Sequence, residues 1–200
     1  MTMDHGNILQ FWFGDLDDFG RSDAQHRKCW FQKNSEFDEK IRTLFLSTHE
    51  GILRSENNNW LENSSSRLAY LLVLDQFSRN MFRGQPGMFD SDLLSLRVVR
   101  EGLDLNMDRE LFLDGRVFFY MPLMHSEDLC DQNECVEQFK KLREELQGEV
   151  SGHVDHNLEY ALKHREVIER FSRFPHRNEI LSRESTPEEV QFLKEPGSKF

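Results

Sequence analysis

Apolar residues in this chain return at intervals of three and four, and no convincing stretch alternates with a period of two, so the backbone is expected to bury its apolar surface as helices. Ile8, Phe11 and Trp12 make one stripe, with Asn7 as a cap and Gly14 closing it, and Asp15 to Arg21 follows as a loop. Phe37, Ile41, Leu44, Phe45 and Thr48 make a second stripe over 36–50, opened by a Ser35-x-x-Asp38 capping pattern and ended by Gly51. A third, over 65–80, starts at Ser64 or Ser65 and is apolar almost all round from Leu68 to Leu74, the mark of a central helix. Further patterns predict helices over 91–102, capped by Asp90 or Ser91, and over 109–121, capped by Asp108. Two longer ones follow, over 127–147 and 155–171. Thr186-Pro187-Glu188-Glu189 joins an N-cap, a proline at the first helical position and an acid three residues on, which predicts a helix over 187–194. Pro122 is expected to end or kink its helix, and Pro175 to keep Phe174 out of the α region. The class is all-α, a helical bundle or array, and a chain of 200 residues is expected to form one domain, 1–200.

Charge removes several function classes. Lys and Arg number 25 against 36 Asp and Glu, and a net −11 repels nucleic acid from the surface as a whole. No apolar run approaches the roughly 20 residues of a membrane span. Met1-Thr2-Met3-Asp4-His5 offers no basic segment ahead of Ile8 to Phe13, which argues against a secretory signal and points to a soluble, cytoplasmic protein. Cys29, Cys130 and Cys135 form neither an even framework nor a CxxC pair and read as reduced thiols. Seventeen Phe residues point to an aromatic core, and rings near Trp12 and Trp30 offer a surface for self-association, although the oligomeric state is not set by the sequence.

Three stretches mix ionisable groups with apolar neighbours. In Leu74 to Gly84, Asp75 and Arg79 stand four apart on one helix face and Arg83 follows one turn on. A carboxylate on a buried face needs a partner, so this is an internal pair that fixes packing or one wall of a ligand site. In Tyr120 to Asp128, Ser126 suits an N-cap and Glu127 and Asp128 suit the positive end of the acidic helix, which leaves His125 without a structural reason. From Lys163 to Arg183 there are six bases against three acids, all but one of the bases Arg, whose planar fork of donors fits carboxylate or phosphate. Ion pairing to the acidic helix is the structural alternative.

Phe11-Trp12-Phe13-Gly14, Leu74-Asp75-Gln76-Phe77-x-Arg79-Asn80, Pro122-Leu123-Met124-His125-Ser126-Glu127, Arg170-Phe171-x-Arg173-Phe174-Pro175-His176-Arg177-Asn178 and Ser185-Thr186-Pro187-Glu188-Glu189 occur in that order along nearly the whole chain. Together they resemble a widespread, mainly bacterial family of unknown function with a tetratricopeptide-like helical fold. Ser78, Ser172 and Ser182 stand where family members more often carry Pro, Gly and Gly, and Ser172 restricts the backbone just before Arg173. The resemblance implies a fold and no activity.

The residues themselves suggest a pocket for a small anionic ligand. His125, Glu127 and His176 are the candidate catalytic groups, with an imidazole as acid or base for hydrolysis or acyl transfer. Asp75, Arg79, Arg83, His164, Arg173, Arg177 and Asn178 are the candidate ligand-binding groups, and the segments freed by Pro122 and Pro175 are expected to bring His125 and Glu127 to Arg173, His176 and Arg177, with Arg79 completing the cluster. Ser126 sits beside His125 but in no GxSxG elbow. A metal site built from His125, Glu127, His164 and His176 has the right ligand types and no metal-binding spacing, and no cofactor is implied. The non-catalytic alternative is a tetratricopeptide-like module that holds a peptide in a groove.

Overall fold

The computed structural model describes residues 4–146 and 149–198; Met1–Met3 of the leader reading and Gln147 of the helix expected over 127–147 lie outside them. The chain is all-α, with no β-strand among the described residues beyond the isolated bridge of Leu16 to Ser22. It divides into two units, 4–83 with 87–122 and 84–86 with 123–198.

The first unit holds α1 (His5–Phe13), α2 (Ala24–Trp30), α3 (Ser35–Leu53), α4 (Ser64–Leu72), a π-helical turn (Val73–Phe77), α5 (Ser78–Met81), α6 (Asp92–Asp104) and most of α7 (Leu113–Met124). Helix α2 has no counterpart in the expected helices, because its sequence carries no apolar stripe; Asp23 starts it by accepting the N–H groups of Gln25 and His26. Caps fall one residue ahead of the expected Ser35 and Ser64. Asn34 accepts the N–H groups of Glu36 and Phe37, and Asn63 that of Ser66, since their side-chain carbonyls reach the free donors of the first turn. Asn7 and Asp108 cap nothing. Asp4 occupies the cap position of α1, and the Asp108 carboxylate accepts the Tyr120 hydroxyl at 2.6 Å, so α7 begins only at Leu113.

This unit's core is aromatic. Trp12 and Phe13 are each 1% exposed and meet Trp30, Phe77, Phe112 and Phe118 largely edge to face, as in Trp30–Phe118 at 4.7 Å and 78°. Such ring pairs add about 0.5–1.5 kcal/mol each beyond their buried area. Trp12 and Trp30 pack against each other, the Trp30 indole N–H donating to the Trp12 carbonyl at 2.8 Å, and beside them the Phe31 ring is exposed.

The second unit holds α8 (Leu129–Glu145), α9 (Glu149–Phe171), a 3-10 turn (Pro175–Arg177) and α10 (Pro187–Phe192). Helix α9 starts well before the expected residue 155, because Val150 and Val154 extend its buried face along α8 toward Val136, Phe139 and Leu142. Val167, Ile168 and Phe174 make a second apolar cluster with Phe171 and Phe192. The Thr186 capping box and the Pro187 start of α10 are as the sequence predicts.

Helix α7 runs through Pro122 to Met124 and does not break there. Proline removes the N–H that would reach the Phe118 carbonyl and crowds the preceding turn; the carbonyls at and after the end of the helix are taken up by the next one, with Gln132 Nε2 2.7 Å from Met124 O and 2.7 Å from Ser126 O. The cap of α8 is Asp128 and not Ser126; the Ser126 hydroxyl donates to Asp131 Oδ2 at 2.6 Å and accepts the Asp128 N–H at 3.1 Å.

Candidate functional site

In the first unit, the π-helical turn places Asp75 inward, 2% exposed, with Arg79 3.6 Å away. Arg79 also holds Asp92 through two bonds of 2.8 and 3.0 Å, donates to the Met88 carbonyl and covers the Phe89 ring. Burial disfavours its charge, but Asp75 and Asp92 outweigh that and keep the guanidinium firmly protonated. Ser78, where proline is expected from the resemblance, lies with Oγ 2.6 Å from Leu74 O, a carbonyl displaced by the π turn. Arg83 binds both oxygens of Asp38, at 2.6 and 2.9 Å. The partners of Arg79 and Arg83 all belong to this unit, so both act as architecture within it.

In the second unit, residues separated by some fifty positions converge. Glu127 accepts the Phe174 N–H at 2.8 Å and is bound from both sides by Arg183, at 2.7 and 2.9 Å. Burial works against the Glu127 charge, but Arg183, the Phe174 N–H and the nearby Arg177 charge prevail and hold its carboxyl below the usual range. Arg177, 6% exposed, donates to the His125 carbonyl at 2.7 Å and lies 4.5 Å over the Phe174 ring.

A second carboxylate fastens the other end of this loop. Glu189, 2% exposed, takes two bonds from Arg173, at 2.6 and 2.8 Å, one from Asn178 at 3.3 Å and the Thr186 N–H at 2.7 Å. These donors, Arg173 foremost, lower its pKa to about 2. Arg173 is partly exposed, so solvent weakens the pair relative to a fully buried one. Ser172 and Ser182, where glycine is expected from the resemblance, both adopt the left-handed conformation, with φ of 56° and 54°. The loop therefore keeps the glycine geometry and carries backbone strain for it.

The three imidazoles lie in this same unit. His164, 5% exposed, faces the Tyr160 carbonyl through Nδ1 at 2.8 Å, which places the proton on Nδ1. Burial first, and then His125, His176 and Arg177, lower its pKa to about 3. Burial and Arg177 likewise lower His176 to about 4. At neutral pH both rings are uncharged.

The structure thus brings together His125, Glu127, His164, Arg173, His176, Arg177 and Asn178, and gives Asp75, Arg79 and Arg83 partners among themselves and their neighbours. Glu127 is held by Arg183 and is a positioning group, not a free acid or base. The Ser126 hydroxyl is engaged by Asp131. Among the described residues no three of His, Cys, Asp and Glu are placed to hold a metal ion, and Cys29, Cys130 and Cys135 are free thiols. Arg183 and Glu189 were legible only as one of several bases and as a helix-start acid; their side-chain roles had no local signal.

These features define a class: an all-helical protein in which the segment from Arg173 to Arg183 is fastened by two carboxylates, Glu127 and Glu189. The chain belongs to the family DUF924, described as a bacterial protein of unknown function, which it matches over residues 8–197. It is similar to a solved structure of a protein of unknown function, ATU0120 from Agrobacterium tumefaciens, at 37% identity and a TM-score of 0.80, over 95% of this chain and 96% of that one. Among curated proteins no relative matches it. No helix among the described residues is long and apolar enough to cross a membrane.

Proposed function

We propose that the second unit binds a small anionic molecule at Arg177, flanked by His125 and His176. The observation that carries this reading is the approach of the His125 segment, after α7, to the Arg177 guanidinium and the His176 imidazole on a loop that Glu127 and Glu189 hold in place, with both imidazoles partly exposed. Two of the neighbouring arginines, Arg173 and Arg183, are each held by a carboxylate, which assigns them to positioning. Magnitude decides between binding and catalysis. A base with a pKa of about 4 is weak at neutral pH, so His176 serves better as a hydrogen-bond donor to an anion than as a general base. An anion beside it would raise that pKa, so binding should tighten as pH falls from 6 toward 4. Hydrolysis or acyl transfer on the bound anion would need water as nucleophile, because Ser126 is engaged.

Calorimetry of the full chain with inorganic phosphate, acetate and succinate tests this. We expect saturable binding of at least one of them, weakened tenfold or more by His176→Gln, with the thermal midpoint of the variant unchanged. Absence of binding by all three, or binding indifferent to His176→Gln, would overturn it.

A second reading has its own observation. A cavity of about 310 Å³ beside α9 and α10 is walled by Tyr160, Val167, Phe171 and Phe192, which suits a tetratricopeptide-like module gripping an apolar peptide side chain. Binding of peptides that is lost in Phe192→Ser and retained in His176→Gln would favour it.

A further inference from the structure

The loop that opens the first unit carries a site unrelated to these motifs. Residues 15–23 double back on themselves: the Asp17 N–H donates to Arg21 O at 2.9 Å, and Leu16 and Ser22 form the antiparallel bridge. The loop is fastened from below. Ser22 N–H donates to the buried Asp114 carboxylate at 2.7 Å, and the Gly20 carbonyl accepts the Asp114 N–H at 3.1 Å. Gly20 has φ of 76° and lies so close to Leu113 that a Cβ would come within 2.8 Å of its backbone nitrogen, so this loop has one shape.

Between the loop and α2 lies a cavity of about 390 Å³, lined by Asp15, Leu16, Ser22 and Arg27 together with Asp17, Arg21, Asp23 and Ala24. Its charged groups sort by whether they have partners. Asp17 takes the Arg21 guanidinium at 2.7 Å, and Asp23 takes His26 at 2.6 Å while capping α2. Asp15 and Arg27 have no side-chain hydrogen bond or ion pair with any described residue, and they do not pair with each other. Ser22 is 3% exposed, and its hydroxyl also lacks a partner. The Ser22 oxygen is closed off from solvent and belongs to the wall. The cavity therefore presents one unpaired anion, one unpaired cation and the apolar side chain of Leu16, in a volume suited to a small ligand.

We propose that this cavity binds a small zwitterion of the α-amino-acid class, its carboxylate at Arg27 and its ammonium at Asp15. A guanidinium binds a carboxylate in two-point fashion, and a carboxylate binds an ammonium as a point charge, so the two lining charges match the two ends of such a ligand and neither end alone. The rigid loop presents the groups without reordering on binding.

The test titrates the full chain at low ionic strength with glycine, L-serine, L-leucine and L-glutamate, followed by calorimetry. For the tightest of the four, its N-acetyl derivative, which lacks the ammonium, and its methyl ester, which lacks the carboxylate, are compared. We expect saturable binding in the millimolar range or tighter, a loss of tenfold or more for either blocked form, and a loss of tenfold or more in Asp15→Asn and in Arg27→Gln. Both variants should keep the wild-type thermal midpoint, since neither side chain has a partner to lose. No saturable binding by any of the four, equal binding of the blocked forms, or wild-type affinity in both variants would overturn the proposal.

Discussion

Acidification from pH 7 to pH 5 should destabilise the second unit through its imidazoles. An ordinary imidazole titrates near 6.5, whereas His164 is held at about 3 and His176 at about 4. Below 6.5 the unfolded chain takes up protons that the folded rings refuse. The stability they contribute is fully present above 6.5 and is lost as pH falls toward 4, where His176 protonates, and 3, where His164 does. At pH 5 that amounts to about 2 kcal/mol for His164 and, with solvent reaching His176, about 1 kcal/mol more. Paired carboxylates begin to contribute only below about 4.5, so pH 5 isolates the imidazoles. All three tryptophans, Trp12, Trp30 and Trp60, lie in the first unit, where His49 is also held low by burial, so urea unfolding should be followed by far-ultraviolet circular dichroism. His164→Gln should reduce the pH 7 to pH 5 loss by about 2 kcal/mol. An unchanged loss in that variant would show that His164 is not held neutral by burial.

Other consequences follow from the two carboxylates and the strained loop. Glu127→Gln breaks the Arg183 pair and weakens the hold on the Phe174 N–H, and should cost about 1.5–3 kcal/mol in urea denaturation. Glu189 contributes stability above about 4.5 that is lost as pH falls toward 2, so Glu189→Gln should flatten stability against pH in that window by about 1 kcal/mol. Ser172→Gly should raise stability by about 1 kcal/mol, because it relieves a left-handed residue, and should leave anion affinity unchanged.

Much of this architecture is legible in the sequence because apolar spacing is a local property. The faces of α3, α4 and α6 and the capping box of α10 can be read residue by residue. What escapes is physical in origin. Helix α2 has a cap and no stripe, and the five residues of the π turn are too few for its period to differ from that of an α-helix. Pro122 reads as a stop because proline removes an N–H and crowds the preceding turn, although α7 runs through it to Met124. The arginine-rich segment and its candidate partners are visible as composition. Which arginine meets which carboxylate depends on pairs such as Arg183 and Glu127, far apart in sequence, and no local pattern encodes them.

The central claim is that Arg177 and its flanking imidazoles form an anion site. Nitrogen-resolved magnetic resonance of the histidine side chains, recorded against pH with and without inorganic phosphate, tests it most directly. Phosphate is expected to shift the His125 and His176 resonances saturably and to raise the His176 pKa from about 4 by roughly one unit, while the buried His164 stays neutral down to about pH 4. A His176 titration that phosphate leaves unmoved would contradict it.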